Sequence, residues 1–100
     1  MKIALLAAAL AAAAPAFASM ELARKNACLA CHGIDRKIVG PAYQDVAKKY
    51  AGRKDAEAAL AQSIKAGGSG KWGPVPMPPQ AALSDADAHQ LAAWILQGAK

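Results

Sequence analysis

Bulky rings are scarce in this sequence. Its 100 residues hold two tryptophans, two tyrosines and one phenylalanine. A chain so short builds one domain with a marginal core, and such domains usually need a staple or a large buried group. Cysteine and histidine are scarce too, with two of each. A structural zinc site needs four ligands at workable spacing. Cys28, Cys31, His32 and His89 supply four, but adjacent Cys31 and His32 are poorly placed to chelate one ion together. No segment alternates apolar and polar residues with period two, so no strands are expected and the fold class is all-α. No apolar run reaches the ~20 residues that a membrane span requires. No nucleic-acid-binding motif is present.

What the N-terminus does have is the pattern of an export signal. Lys2 is a short positive start, Ile3 to Ala14 is an almost pure Ala/Leu run, Pro15 breaks it, and Ala16-Phe17-Ala18 has the A-x-A form of a cleavage site. Residues 1–18 are therefore expected to be a signal peptide and 19–100 the domain. The single phenylalanine leaves with the signal. So does Lys2, which leaves 11 basic and 7 acidic side chains from the 12 and 7 of the whole chain. An exported protein of this kind is expected in the periplasm, with no stable membrane insertion after cleavage.

Helical spacing recurs along the rest. Residues 20–30 read as one helix, with Leu22, Ala23, Ala27 and Ala30 on a stripe and Glu21 near the positive end. Tyr43 to Ala51 reads as a short helix ended by Gly52. Asp55 is the expected N-cap of a helix through Ala66, closed by Gly67-Gly68. Ser84 opens the last helix with Asp85 and Asp87 in its first turn, and Ala88, Leu91, Trp94 and Ile95 form its apolar stripe. The Gly- and Pro-rich stretch 67–79 can be neither helix nor central strand. A loop that long in so small a domain is usually functional.

The stretch Cys28-Leu29-Ala30-Cys31-His32 organises all of this. Two thiols three positions apart, with an imidazole directly after, read as a c-type haem attachment site. Each thiol adds across one vinyl group, so both sulfurs must lie on one side of a single turn. The following imidazole can then ligate the iron. A thioredoxin-like redox pair would need a preceding strand and a βαβ frame. A plain disulfide would leave His32 unexplained. A porphyrin would also supply the apolar volume that the missing rings do not.

The iron's second axial position has one good candidate. Met20 shares a helix with the cysteines, whereas Met77 lies 45 residues beyond His32 in the stiff run Trp72-Gly73-Pro74-Val75-Pro76-Met77-Pro78-Pro79. A His/Met pair raises the reduction potential and closes the iron to small ligands. His89 is expected on the polar side of its helix, at the surface. His32 should donate its second ring N–H to a carbonyl, and Pro41 is the candidate, returned by the Gly40-Pro41 turn. Trp72 is the candidate donor to a haem propionate. Ile38, Val39, Val46, Leu60, Ile64, Val75, Leu91 and Ile95 are expected either to wall the haem or to pack between helices.

Together these motifs resemble a small class I cytochrome c. The residues that carry the resemblance are Cys28–His32, Val39-Gly40-Pro41-Ala42-Tyr43, Lys71 to Pro79, and Leu91-Ala92-Ala93-Trp94. The loop around Met77 narrows it to the bacterial cytochrome c-551 (c8) group. The resemblance implies four to five helices around one haem, His/Met ligation, and periplasmic electron shuttling, often to the haem cd-type nitrite reductase. Two positions depart from the group's pattern. Gln80 stands where Asn commonly bonds the methionine sulfur, and Ser63 where Arg often approaches a propionate.

Function classes follow from the site. The expected one is a monomeric one-electron carrier between redox proteins: a cytochrome bc1-type donor and a terminal reductase or oxidase. Lys25, Lys48, Lys49, Arg53, Lys54, Lys65 and Lys71 could steer acidic partners to it. A haem enzyme or small-ligand sensor would need a labile sixth ligand and nearby acid–base groups. A haem-free thiol module is the third alternative.

Overall fold

The computed structural model describes residues 16–100; the expected signal, apart from residues 16–18, lies outside the described residues. Helix α1 covers residues 16–25, followed by a 3-10 turn over Cys28–Ala30, then α2 (Tyr43–Tyr50), α3 (Ala56–Ala66) and α4 (Asp85–Leu96). Among the described residues the only extended pairings are two isolated bridges, His32 with Lys37 and Gly68 with Met77. No described helix is long and apolar enough to cross a membrane.

The first expected helix is in fact two pieces. The Asn26 side chain folds back to donate to the Leu22 carbonyl at 2.9 Å, and Ala27 takes a left-handed conformation with φ 60°. Side-chain amides of this kind compete with the helix for backbone groups. The chain therefore turns before the cysteines and sets them on their own tight turn.

Helix α2 begins where the orphan N–H groups of its first turn find carbonyls in the segment after His32. Tyr43 N–H donates to Gly33 at 2.9 Å and Gln44 N–H to Ile34 at 3.0 Å. This fixes α2 against the cysteine turn. Helix α3 differs from expectation at its start. The Asp55 side chain makes no capping bond but takes a forked pair from Arg53, at 3.0 and 2.9 Å. A bidentate guanidinium outcompetes a backbone N–H for a carboxylate. At its end, Gly67 adopts φ 69° as the C-cap.

Helix α4 is the spine. The Ser84 hydroxyl accepts from Asp87 N–H at 3.1 Å, a satisfied N-cap. Ala88, Leu91, Ala92, Trp94 and Ile95 are buried and pack against α3 and α2. Burying a side chain such as Leu91 contributes about 1.5–3 kcal/mol. An ion pair between Lys65 and Asp85 and a hydrogen bond between His89 Nδ1 and a Glu57 carboxylate oxygen bind α4 to α3 at the surface. His89 is exposed there, as its helical position predicted. Of the expected wall residues, Val46, Leu60, Ile64, Leu91 and Ile95 pack in the protein core, whereas Ile38, Val39 and Val75 are exposed.

Candidate haem site

The turn over Cys28–Ala30 closes with Cys31 N–H and His32 N–H both donating to the Cys28 carbonyl, at 3.2 and 3.0 Å. The next segment folds back on it. Val39 and Gly40 N–H groups donate to the Cys31 carbonyl at 3.1 and 2.8 Å. That return brings the Pro41 carbonyl oxygen to 2.7 Å from His32 Nδ1. A carbonyl can only accept, so Nδ1 carries the proton and Nε2 keeps its lone pair for a metal. Cys28 and Cys31 are not joined to each other by a disulfide. Burial pushes the Cys28 thiol above its ordinary value.

Two residues that sequence reasoning did not place in the site pack closely on the imidazole. The Tyr43 ring stacks on His32 with centroids 5.0 Å apart and planes 16° from parallel. Tyr43 in turn meets the edge of Trp94 at 5.6 Å. Burial first, and Cys28 second, raise the Tyr43 phenol well above its ordinary range. Opposite the backbone, Gly40 lies so close that a Cβ there would sit 2.5 Å from His32 Cε1. Gly40 was legible only as half of a turn signal; its packing role depends on the fold.

Cys28, Cys31, His32 and Pro41 thus form one cluster. Met77 and Trp72 lie on the loop between α3 and α4. Met77 and Gly68 exchange backbone hydrogen bonds of 2.7 and 3.1 Å, which pinch the loop's neck. The Trp72 ring is partly exposed and sits under the Lys49 ammonium at 4.7 Å. The Gln80 N–H donates to the Ile64 and Lys65 carbonyls and anchors the far limb to α3.

These residues fit a tetrapyrrole. Ile38, Val39, Trp72 and Val75 are 39 % to 61 % exposed, and all four lie in the segments flanking the pentad and Met77. Among the described residues no cluster of three or more His, Cys, Asp or Glu side chains could hold a bare metal ion. Cys28 and Cys31 spaced before His32, with one His32 nitrogen committed to Pro41, match the donor set of a haem anchored through thiols, and the class it defines is the c-type haem proteins. The comparisons give the family. Residues 18–99 match the cytochrome c family. The cytochrome c-552 of Hydrogenobacter thermophilus is 59 % identical over 96 residues, covering 96 % of this chain and 97 % of that protein. The cytochrome c-551 of Pseudomonas aeruginosa is 59 % identical over 75 residues, 75 % of this chain and 71 % of that one. The crystal structure of wild-type Nitrosomonas europaea cytochrome c552 superposes with a TM-score of 0.76 at 55 % identity, covering 78 % of this chain and 96 % of that one. The chain belongs to the cytochrome c family, as a small class I member. It carries covalent haem c and is an electron-transfer protein, not an enzyme.

Proposed function

We propose that this cytochrome is an exported, monomeric one-electron carrier whose iron is held between His32 and Met77, with Cys28 and Cys31 as thioether anchors. Bound haem supplies the ferric–ferrous couple. The chain's own residues do the rest. Pro41 orients His32 and raises its basicity. Met77, stiffened by Pro76 and Pro78, supplies a soft thioether that favours the reduced state. Trp72 donates its indole N–H to a propionate. The His32 Nδ1 to Pro41 oxygen bond of 2.7 Å is the observation that carries the reading, because it commits one ring nitrogen and frees the other.

Residues 1–18 are the export signal and the periplasm is the destination. The donor is a cytochrome bc1-type complex. The acceptor is a terminal reductase or oxidase, with the haem cd-type nitrite reductase as the first choice. Of the basic residues proposed for steering, Arg53 and Lys65 are engaged with Asp55 and Asp85 and Lys71 with the Tyr50 hydroxyl, which leaves Lys25, Lys48, Lys49 and Lys54 as the better candidates.

The test is an absorption spectrum of periplasmically expressed protein, oxidised then reduced, repeated on Met77→Ala. A c-type reduced spectrum with the weak red methionine–ferric band, lost in the variant, is the expected result. A c-type spectrum without that band, unchanged in the variant, would overturn the sixth ligand and favour a sensor with a labile site.

A further inference from the structure

Between the bridged residues Gly68 and Met77 the chain makes an eight-residue excursion with no secondary structure of its own. Gly70 and Gly73 adopt φ values of 93° and 121°, so its backbone is intrinsically permissive. Midway along it, two consecutive side chains reach the last turn of α2. The Lys71 ammonium donates to the Tyr50 hydroxyl at 2.9 Å and lies 5.4 Å from the centre of its ring. Trp72 lies under Lys49. Adjacent residues on the loop thus grip adjacent residues on the helix.

Tyr50 suits the part of an anchor. The residue is 2 % exposed and belongs to the core, while its hydroxyl reaches a cation on the loop. The Arg53 guanidinium lies 4.8 Å from the same ring and covers another part of it. Lys71 and Trp72 precede Met77 by six and five positions, and Pro74 and Pro76 lie between. Prolines transmit displacement because their φ is fixed. Gly73 is the one permissive residue between Trp72 and Met77, so lifting the near limb loads the two Gly68–Met77 backbone bonds at the neck, while the far limb stays tied to α3 through Gln80.

We propose that Tyr50 is a positioning residue for Met77, acting through the Lys71–Tyr50 and Trp72–Lys49 contacts that strap the loop to α2. The inference rests on Met77 being the sixth ligand. The strap slows release of the thioether from iron and so limits access of outside ligands.

The experiment uses ferric holoprotein and imidazole as the probe. At saturating imidazole the displacement rate reports opening of the methionine site. Tyr50→Phe keeps the ring and removes the hydroxyl, and should accelerate displacement about three- to ten-fold, the worth of one hydrogen bond. Lys71→Met should do the same, and Lys71→Arg should stay near the parent rate. The double variant should open no faster than the faster single one, since both remove one contact. Denaturant midpoints are measured alongside. An unmoved rate in Tyr50→Phe, additive acceleration in the double variant, or acceleration matched by an equal loss of global stability would each overturn the strap. The parent's red methionine–iron band separates the two readings. If the band is missing, the ligand assignment falls and the strap's role falls with it. If it is present and abolished by Met77→Ala while the Tyr50→Phe rate is unmoved, the strap alone fails.

Discussion

Gly40→Ala isolates the packing that holds the proximal imidazole. Gly40 is not among the glycines with positive φ, so its backbone accepts alanine and the new methyl group is the whole perturbation. That methyl would lie 2.5 Å from His32 Cε1, 2.9 Å from Nδ1 and 3.0 Å from Nε2. Ordinary carbon contacts are ~3.5–4.0 Å, so the ring must retreat by about 1 Å. It cannot retreat freely. One nitrogen is bonded to Pro41 and the ring is stacked on Tyr43. Loss of the hydrogen bond costs about 1 kcal/mol, and loss of the stacking about 0.5–1.5 kcal/mol. The sum, about 2 kcal/mol, is what overpacking of a small core typically costs. For a domain of this size it corresponds to a fall in Tm of roughly 8–16 °C. Thermal unfolding of the holoprotein measures it, and the His32 Nδ1–H proton resonance reports whether the bond to Pro41 survives. A parent-like Tm with an unshifted resonance would refute the reasoning, because it would mean that the ring is not confined.

Gly67→Ala should weaken the Met77 loop directly. Its φ is 69°, and an added Cβ would sit 2.4 Å from the Met77 carbonyl oxygen and 2.8 Å from Pro79 N. A urea midpoint should show a loss of at least ~2 kcal/mol, against about 1 kcal/mol for Gly52→Ala, where φ is 81° but nothing lies within reach. A third expectation concerns acid. The Lys65 ammonium holds Asp85 below its ordinary 3.8, and Arg53 does the same for Asp55. A depressed folded-state value means that each pair's contribution is present at neutral pH and is lost as pH falls through that value. Lys65→Met should therefore bring the Asp85 titration up toward 3.8 and flatten the acid side of the stability curve; an unshifted carboxyl resonance would count against the pairing.

Helices α2, α3 and α4 were readable to within a residue or so because their apolar stripes and glycine stops agree with local propensity. The break before the cysteines was not, since alanine at position 27 gives no sign of a left-handed turn; the cue was the neighbouring Asn26, whose side chain ends α1. Asp55 failed as a cap because a guanidinium two residues away competes for it, a contest that cap preferences ignore. The pentad and the Pro41 contact were legible from spacing, since both are local. Tyr43 against His32, Lys49 over Trp72 and Lys71 on Tyr50 were not. Each needs residues that the tertiary fold alone brings together. Periodicity likewise marks Val46 and Ile38 alike as apolar and cannot say that one faces helices and the other stands exposed beside the pentad.

The imidazole leans on Tyr43, and Tyr43 leans on Trp94, 51 positions further along the chain. Helix α4 is thus the backing of the His32 ring. Without α4, α2 and α3 lose the helix against which both pack, and Tyr43 loses the Trp94 edge behind it. A chain cut short before residue 85 would keep every residue of the haem pentad and the Met77 loop, and would lack the support that makes them a site.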